Sequence, residues 1–434
     1  GYGTKKKENL SGAVASVDTK KLNTRPSSNI TKALQGAVAG VTIISRPGGT
    51  SLNIRGRGNL GSSDPLYIVD GIEVSSGFFN AIDPNNIENI SFLKDASSAA
   101  IYGAKAAYGV VLVTTKTAKS GVMQISYNGS TGVQMPTYLP KVVNSAEYAE
   151  MYRAAERNGG VKEDNLTFTD EMVRKYRDGS DPDRYPNTNW FDLILRKQSF
   201  ITKHNLQLSG GVDKFKYLVD AGFLQEEGNT LSAVTNRYNF NSKTSSDIKK
   251  WLSLTTNMSV IYTKYNNDRG GANLVEALRV PPTQVAKHSN GEWGTVRNGR
   301  QTTSEEANHN PLRTLMENGR SNYIQRRILG SVAAEVRPLE GMKITNQFAY
   351  SYFDTHSFSF SNRKKGVPSF LTPSSGIIPG TASTNNQMKM DWYYSDKFVY
   401  DGWLNYDKTY NDLHDVTFML GTHTDVYSFR RLIV

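Results

Sequence analysis

The feature that most constrains the fold is an alternation of apolar and polar residues in nine long segments that begin at residue 122. In one of them Phe215, Val219 and Phe223 share one face, whereas Lys216 and Asp220 fall on the other. Side chains of a β-strand point to opposite faces in turn, so a period of two predicts strands with one apolar face. The strands are predicted at residues 122–134, 199–210, 214–225, 234–243, 250–264, 323–337, 341–355, 387–408 and 413–427.

The connections between these strands alternate in length. Short connections follow the second, fourth, sixth and eighth strands, and mostly long ones follow the others, at 135–198, 226–233, 265–322 and 356–386. Short turns at one end and long loops at the other are typical of an outer-membrane barrel, whereas a soluble sandwich has no reason to segregate its loops. Residues 119–434 are therefore predicted to be an incomplete antiparallel transmembrane β-barrel. Its last strand is expected to pair on one side only.

Two helices are predicted inside the first long connection, at residues 145–158 and 170–178. Asn144 followed by Glu147 has the spacing of a capping box, which supports the start of the first helix.

Composition excludes several kinds of site. The 434 residues contain no cysteine, which rules out disulfides, thiolate catalysis and cysteine-based zinc centres. We find no run of about 18 apolar residues, so no helical membrane span is expected, whereas barrel strands are compatible with low average hydropathy. The net charge of +11 is spread along the chain, with Lys5, Lys6 and Lys7 as the one compact run. Anionic lipopolysaccharide or polar solutes are therefore favoured as neighbours, and nucleic acid is not expected.

Residues 1–118 have a different pattern and are predicted to form a compact α+β unit. Short β-branched runs at 41–45, 51–55, 65–69 and 110–115 lie between glycine and proline signals and predict strands. Asp70-Gly71 follows the third run and predicts a tight hairpin turn.

Three segments of this unit have distinctive sequences: residues 1–7 (GYGTKKK), 52–72 (LNIRGRGNLGSSDPLYIVDGI) and 87–116 (IENISFLKDASSAAIYGAKAAYGVVLVTTK). Together they resemble the plug of TonB-dependent transporters, and specifically the SusC-like family. Lys105 and Tyr108 depart from the family pattern, which usually has Arg and Asn there. The whole chain is thus predicted to be mostly β, with a plug domain at 1–118 and the first part of a barrel at 119–434.

The resemblance implies a role and partners. A plugged barrel of this kind has about 22 strands, so about nine strands would be only part of it, and residues upstream of Gly1 are expected to be missing. TonB would act on that upstream segment, a SusD-like surface lipoprotein would cap the extracellular mouth, and outer-membrane lipid would surround the barrel. The implied function is active import of an oligomeric nutrient, with glycan first, peptide second and a metal chelate third. A structural role, in which the barrel scaffolds a larger outer-membrane complex, is the alternative that the sequence leaves open.

Arg55, Gly56, Asp70 and Gly71 are the candidates for residues that latch the plug to the barrel. Arg55 resembles the plug arginine that pairs with barrel carboxylates in this family. A buried arginine needs such a partner, so Arg55 is expected to point at the wall. An ordinary buried ion pair without a role in plug release is the alternative.

The candidate ligand contacts are Trp190, Phe191 and Trp293, which lie in predicted extracellular segments where sugar rings or peptide side chains could stack. Alternatively these rings pack the loops or belong to an aromatic girdle. The glycine motif at 56–61 precedes a turn and not a helix, so it does not predict a dinucleotide site. No catalytic order, cofactor motif or metal-ligand spacing is found, and the chain is not expected to be an enzyme.

Overall fold

A computed structural model describes residues 14–17, 27–46, 49–54, 56, 64–95, 99–268, 274–410 and 414–433. These residues form a small N-terminal α+β unit, called here the plug unit, and a nine-stranded antiparallel sheet, called the wall sheet. The plug unit packs on one face of the wall sheet. That face is called the inner face, and the opposite one the outer face.

The plug unit is built on a five-stranded sheet of order β1-β6-β7-β4-β5 and a separate hairpin of β2 and β3. Its strands are β1 (Val14–Val17), β2 (Val41–Arg46), β3 (Gly49–Ile54), β4 (Leu66–Val69), β5 (Ile72–Val74), β6 (Ile87–Leu93) and β7 (Val110–Thr115). Its helices are α1 (Ile30–Ala33) and α2 (Ser76–Ala81), with 3-10 turns at Pro84–Asn86 and Ala100–Ala106.

The four strands predicted in this unit are present as β2, β3, β4 and β7, and β1, β5 and β6 were not foreseen. The predicted turn at Asp70-Gly71 is confirmed, because Val69 pairs with Ile72 across it. Both turn residues have positive φ, 48° at Asp70 and 89° at Gly71. Such angles define the tight turn whose twist matches that of the flanking strands.

The wall sheet contains the nine predicted strands in the order β18-β17-β16-β15-β12-β11-β10-β9-β8. They are β8 (Gly121–Gln134), β9 (Ser199–Val212), β10 (Phe215–Glu227), β11 (Val234–Lys249), β12 (Leu252–Asp268), β15 (Arg320–Val336), β16 (Met342–Ser361), β17 (Gln387–Tyr410) and β18 (His414–Ile433). Among the described residues β8 pairs only with β9, and β18 pairs only with β17, so the sheet is open at both edges. The expected one-sided pairing of the last strand is confirmed.

The long connections carry the remaining elements. These are α3 (Ser145–Asn158), α4 (Asp170–Asp178), α5 (Trp190–Ile194), α6 (Leu274–Arg279), β13 (Val296–Arg297), β14 (Arg300–Gln301), α7 (Ser304–Asn308) and α8 (Pro311–Glu317), with 3-10 turns at Glu163–Asn165 and Pro373–Ser375. The two predicted helices are confirmed as α3 and α4. Both bonds of the capping box between Asn144 and Glu147 are present.

The long connections meet at one end of the wall sheet, as predicted. Thr188 Oγ1 donates to the carbonyl of Gln284 at 2.7 Å, which joins the first long connection to the third. Asn308 Nδ2 donates to the carbonyl of Gly380 at 3.1 Å, which joins the third to the fourth. The short turns lie at the opposite end, because consecutive antiparallel strands reverse direction there.

The outer face of the wall sheet is apolar and exposed. Its exposed side chains include Leu206, Tyr238, Phe240, Met258, Val332, Phe348 and Phe398. The register places Phe348 beside Val332 and Tyr400, so these side chains form a continuous band across neighbouring strands. In the described part of the chain no helix is long and apolar enough to cross a membrane.

Candidate functional site

The plug unit meets the wall sheet through a turn, and we call this group of residues the hairpin contact. Asp70, at the turn between β4 and β5, accepts hydrogen bonds from Lys243 of β11 at 3.1 Å and from Asn257 of β12 at 3.0 Å. Its carboxylate also accepts from the Thr115 hydroxyl at 2.5 Å and from the Thr115 backbone N–H at 2.9 Å. The Asp70 and Lys243 side chains are 12% and 14% exposed, so this ion pair is largely shielded from water. It therefore links the plug unit directly to the middle of the wall.

A second contact, the four-charge network, joins the plug unit to the last two strands. Glu73 of β5 lies 3.0 Å from Lys105 of the plug unit and 2.8 Å from Lys397 of β17. Asp425 of β18 completes the network at 3.6 Å from Lys105 and 3.1 Å from Lys397. Two cations and two carboxylates thus alternate, so the charges of these four groups balance.

The electrostatics of the network favour the ionised state of Glu73. Burial raises the pKa of Glu73, but the hydrogen bonds and charges of Lys397 and Lys105 outweigh it, so the pKa lies below its ordinary value. The hydrogen bond to Glu73 likewise raises the pKa of Lys105. Both groups therefore stay charged at neutral pH.

A third contact is a buried cluster of amides around one carboxylate. Asp220 of β10 is fully buried and accepts hydrogen bonds from the side-chain amides of Asn86 at 2.6 Å, Asn205 at 2.6 Å and Asn241 at 3.3 Å. Asn205 also donates to Asp83 of the plug unit at 3.1 Å. Asn86 and Asp83 belong to the plug unit, so these bonds cross the interface.

Apolar side chains of the wall also contact the plug unit. Four wall residues, Ile261, Leu329, Ala349 and Val399, join the apolar core of the plug unit. The other contacts described above are hydrogen bonds and ion pairs, which water can replace as two surfaces separate. Hydrogen bonds and ion pairs therefore make up most of the contacts described between the plug unit and the wall.

The latch candidates from the sequence are only partly placed by the structure. Asp70 and Gly71 form the turn of the hairpin contact. Gly56 is exposed with φ of 86°, and within the described residues no heavy atom lies within 4 Å of where a Cβ would be. Arg55 lies outside the described residues, so its role stays a prediction.

Sequence reasoning missed Glu73, Lys105, Lys243, Lys397 and Asp425. The available signal was that Lys243 and Lys397 stand on the inner face of strands that are apolar on the other face. That signal marks a cation facing the lumen but does not name its partner.

The loop aromatics are placed by the packing of the long connections. Trp190 and Phe191 are 3% and 5% exposed in an apolar cluster with Ile194 and Val280. Trp190 Nε1 donates to the carbonyl of Pro281 at 3.1 Å. In this arrangement both rings pack against the loops, which is the alternative that the sequence left open, and contact with a ligand stays a prediction.

Trp293 is placed differently from the other two rings. It is partly exposed, its Nε1 donates to Glu317 at 2.6 Å, and the Lys287 ammonium lies 5.3 Å from its ring centroid. Its role as a ligand contact is likewise a prediction.

A cavity of about 520 Å³ lies between the plug unit and β15–β18. Its lining includes Arg327, Phe353, Tyr393 and Tyr427 of the wall together with the four-charge network. No group of three or more histidine, aspartate or glutamate side chains in the described ranges is placed to hold a metal ion.

Comparison with known proteins shows which families have similar sequences. The family model of the TonB-dependent Receptor Plug Domain matches residues 6–110. TonB-dependent receptor P26 of Formosa agariphila is 31% identical over 403 residues, which cover 90% of this chain and 38% of the relative. TonB-dependent receptor SusC of Bacteroides thetaiotaomicron is 27% identical over 352 residues, or 74% of this chain and 33% of the relative. The chain thus spans less than half the length of these curated relatives.

Solved structures agree on the fold. The RagAB peptide transporter aligns with a TM-score of 0.77 at 22% identity, over 98% of this chain and 49% of that one. The siderophore receptor PirA from Acinetobacter baumannii aligns with a TM-score of 0.55 at 13% identity, over 96% of this chain and 48% of that one. At these identities the matches show the fold alone.

A plug unit that packs by polar contacts on the inner face of an antiparallel wall defines the plug and part of the barrel of a TonB-dependent receptor. Its sequence is similar to SusC and to P26, which supports a SusC-like member of this class.

Proposed function

We propose that the full-length protein imports an oligomeric nutrient across the outer membrane, with glycan as the first candidate and peptide as the second. A SusD-like lipoprotein delivers the solute at the extracellular end, and TonB pulls on the segment upstream of Gly1 to displace the plug unit. No bond of the solute is made or broken in this cycle. The exposed apolar band of the outer face supports a location within outer-membrane lipid.

The observation that carries the proposal is the polar character of the plug–wall interface. A permanently fixed domain is best held by a large apolar interface, whose separation would expose its whole area to water. The hairpin contact and the four-charge network instead consist of separate hydrogen bonds and ion pairs. Pulling the β4–β5 hairpin breaks them one after another, which suits a plug that TonB displaces and that then returns.

The relatives support the energised part of the proposal. P26 and SusC are both named TonB-dependent receptors. The RagAB neighbour is named a peptide transporter, but it is similar to this chain in fold alone. Glycan therefore remains the first candidate substrate and peptide the second.

A reversible covalent tether between plug and wall tests the proposal. The described chain offers a site where Asp83 of the plug unit approaches Gly222 of β10, since a Cβ at Gly222 would lie 2.8 Å from Asp83 Oδ2. The double substitution Asp83→Cys with Gly222→Cys puts one thiol on each side of this close contact. The sequence has no other cysteine, so no competing disulfide can form within it.

Uptake of a labelled oligosaccharide is measured in cells that carry the full-length receptor. Oxidation should abolish uptake in the double variant, and a reductant should restore it, while each single variant keeps its uptake under both conditions. Uptake that continues with the tether closed would contradict import through plug displacement. A receptor that assembles normally but shows no TonB-dependent uptake of any oligomer would support the scaffold role.

A further inference from the structure

Gly330 is a glycine in the middle of β15 that neither the backbone nor the packing of the chain requires. It pairs with Met258 of β12 and with Tyr350 of β16 in an uninterrupted register, so it forms no bulge. Its φ is not positive, and within the described residues no heavy atom lies within 4 Å of where a Cβ would be. A glycine inside a strand weakens the strand, and it often marks a place where a ligand or another chain approaches closely.

Gly330 lies at the floor of a groove of about 730 Å³ on the outer face, called here the outer-face groove. One side of this groove is a ridge of four aromatic rings. The ring centroids of Phe348 and Tyr400 are 5.0 Å apart, and those of Tyr350 and Phe398 are 4.7 Å apart. Each ring is held by its partner, so the ridge is a fixed wall against which a ligand can pack.

The other side of the groove is lined by smaller or more flexible side chains. Met258 is 47% exposed, and Ser242 and Thr256 lie beside it. The Thr256 hydroxyl is already hydrogen bonded to that of Thr244 at 2.6 Å. No charged side chain lines the groove in the described part of the chain. A mostly apolar groove of this kind suits a hydrocarbon chain.

Charged side chains appear on the same face towards the long connections. Arg326 lies four residues before Gly330 on β15, which is about 13 Å along the strand. It forms an ion pair with Asp354 of β16 at 2.6 Å, and His356 lies 3.2 Å from the same carboxylate. Lys264 of β12 lies diagonally beyond Arg326 in the strand register. It forms no ion pair with a carboxylate in the described ranges.

The remaining outward charges on this half of β12 and β15–β18 occur as opposite signs on neighbouring strands. Asp268 of β12 pairs with Arg320 of β15 in the register. Asp396 of β17 and Arg430 of β18 lie on adjacent strands, one outward position apart. These charges offset each other, as do those of the Arg326 ion pair. One positive charge therefore remains above the groove, and it belongs to Lys264.

We infer that the outer-face groove holds an acyl chain of lipid A and that Lys264 binds a phosphate group of the same lipid. The long connections mark the extracellular end of the wall sheet, so Lys264 lies at the level of the outer-leaflet headgroups and the groove lies among their chains. An anionic phosphate complements the one positive charge that is not offset. This inference rests on the location of the wall sheet in outer-membrane lipid and does not depend on import.

The groove distinguishes one bound lipid from the lipid that surrounds any barrel. A chain gains no hydrophobic energy when it leaves other chains, so contact with the fixed ridge and the ion pair must hold it in place. Both contributions can be removed separately. A side chain at Gly330 fills the groove without a clash, and a neutral residue at position 264 removes the charge.

The test is lipid binding by the purified full-length receptor in detergent, measured by native mass spectrometry. The probes are diphosphoryl lipid A, dimyristoyl phosphatidylglycerol and dimyristoyl phosphatidylcholine. Wild-type receptor should bind one lipid A most tightly, and this binding should weaken with salt. Gly330→Leu should weaken it by about fivefold or more through lost contacts with the chain. Lys264→Gln should weaken it by about fivefold, the contribution of one cation near an anionic lipid.

Matched variants serve as controls. Ala221→Leu adds bulk to the outer face of β10 away from the groove, and Lys197→Gln removes an exposed lysine at the same end of the sheet. Both should bind lipid A like wild type. Gly330→Ala fills less of the groove and should have a smaller effect, which keeps the test readable if Gly330→Leu folds poorly.

Four results would overturn the inference. The groove would not hold the chain if Gly330→Leu bound lipid A like wild type, or if Ala221→Leu weakened binding equally. Phosphatidylcholine bound as tightly as lipid A would exclude recognition of the phosphate, and tighter binding of phosphatidylglycerol would exclude lipid A as the source. A receptor dimer that Gly330→Leu converts to monomers, with lipid binding unchanged, would show that the groove holds a second copy. None of these measurements involves TonB or uptake, so each leaves the proposed import untouched.

Discussion

Replacing Asp70 with asparagine removes the charge at the centre of the hairpin contact while keeping the shape of the turn. Asparagine tolerates the positive φ of 48° that this position requires, so the β4–β5 hairpin should still form. The carboxylate, however, accepts four hydrogen bonds, and three of them converge on Oδ2 from Lys243, Asn257 and the Thr115 hydroxyl. An amide has only one acceptor atom, so an NH₂ group must face donors on one side.

The cost follows from the burial of the ion pair. Breaking a buried pair by neutralising one partner costs about 3–5 kcal/mol, because the remaining charge is left uncompensated. The lower end of this range applies here, because Lys243 retains its hydrogen bond to the Thr115 hydroxyl at 3.0 Å. At about 3 kcal/mol the ratio of docked to undocked plug falls roughly 100-fold.

Conductance of the full-length receptor in planar bilayers measures this ratio. Asp70→Asn should raise the frequency of open-channel events, while the exposed loop substitution Asp164→Asn should match wild type. Lys243→Met leaves Asp70 with three donors and should have a smaller effect. The double variant should leak less than the sum of the single effects, because it leaves no orphaned charge.

The reasoning would be refuted by an Asp70→Asn receptor whose closed-state leak equals that of wild type. Hydrogen exchange in β4 and β5 provides an independent check. Unchanged protection there, together with unchanged conductance, would mean that the hairpin contact does not hold the plug unit.

Three further predictions concern other parts of the molecule. Because the pKa of Glu73 is lowered below its ordinary 4.5, the network contributes stability above that pH and loses it as the pH falls through the lowered value. Leak measured against pH should therefore rise below pH 4.5 in wild type, and Glu73→Gln should leak already at neutral pH. Gly71→Ala should destabilise the β4–β5 hairpin by about 1–2 kcal/mol, because its φ of 89° is unfavourable for a residue with a Cβ, and faster hydrogen exchange in β5 would report it. Trp190→Ala should cost the loop cluster about 3–5 kcal/mol and speed limited proteolysis of the long connections, while unchanged proteolysis would contradict the packing role.

The sequence by itself determined the features that depend on local pattern. All nine wall strands follow from a period of two, because each side chain's face is fixed by its position along its own strand. The start of α3 follows from Asn144 and Glu147, three residues apart. The turn at Asp70-Gly71 follows from two residues that tolerate positive φ.

Only the tertiary structure decided which residues hold the plug unit. Asp70 and Lys243 are 173 positions apart, and Glu73 and Lys397 are 324 apart. Their pairing depends on how the plug unit is seated against the inner face, and strand periodicity carries no information about that.

The short strand β5 was missed for a related reason. β5 has only three residues, too few to show a period, and it exists because the turn at Gly71 brings it beside β4. Trp190 and Trp293 likewise differ in burial, which the sequence did not predict. The Trp190 ring lies inside the loop cluster, and the Trp293 ring is partly exposed. An aromatic residue has the same letter in a core and in a ligand site, so only the packing around it distinguishes the two.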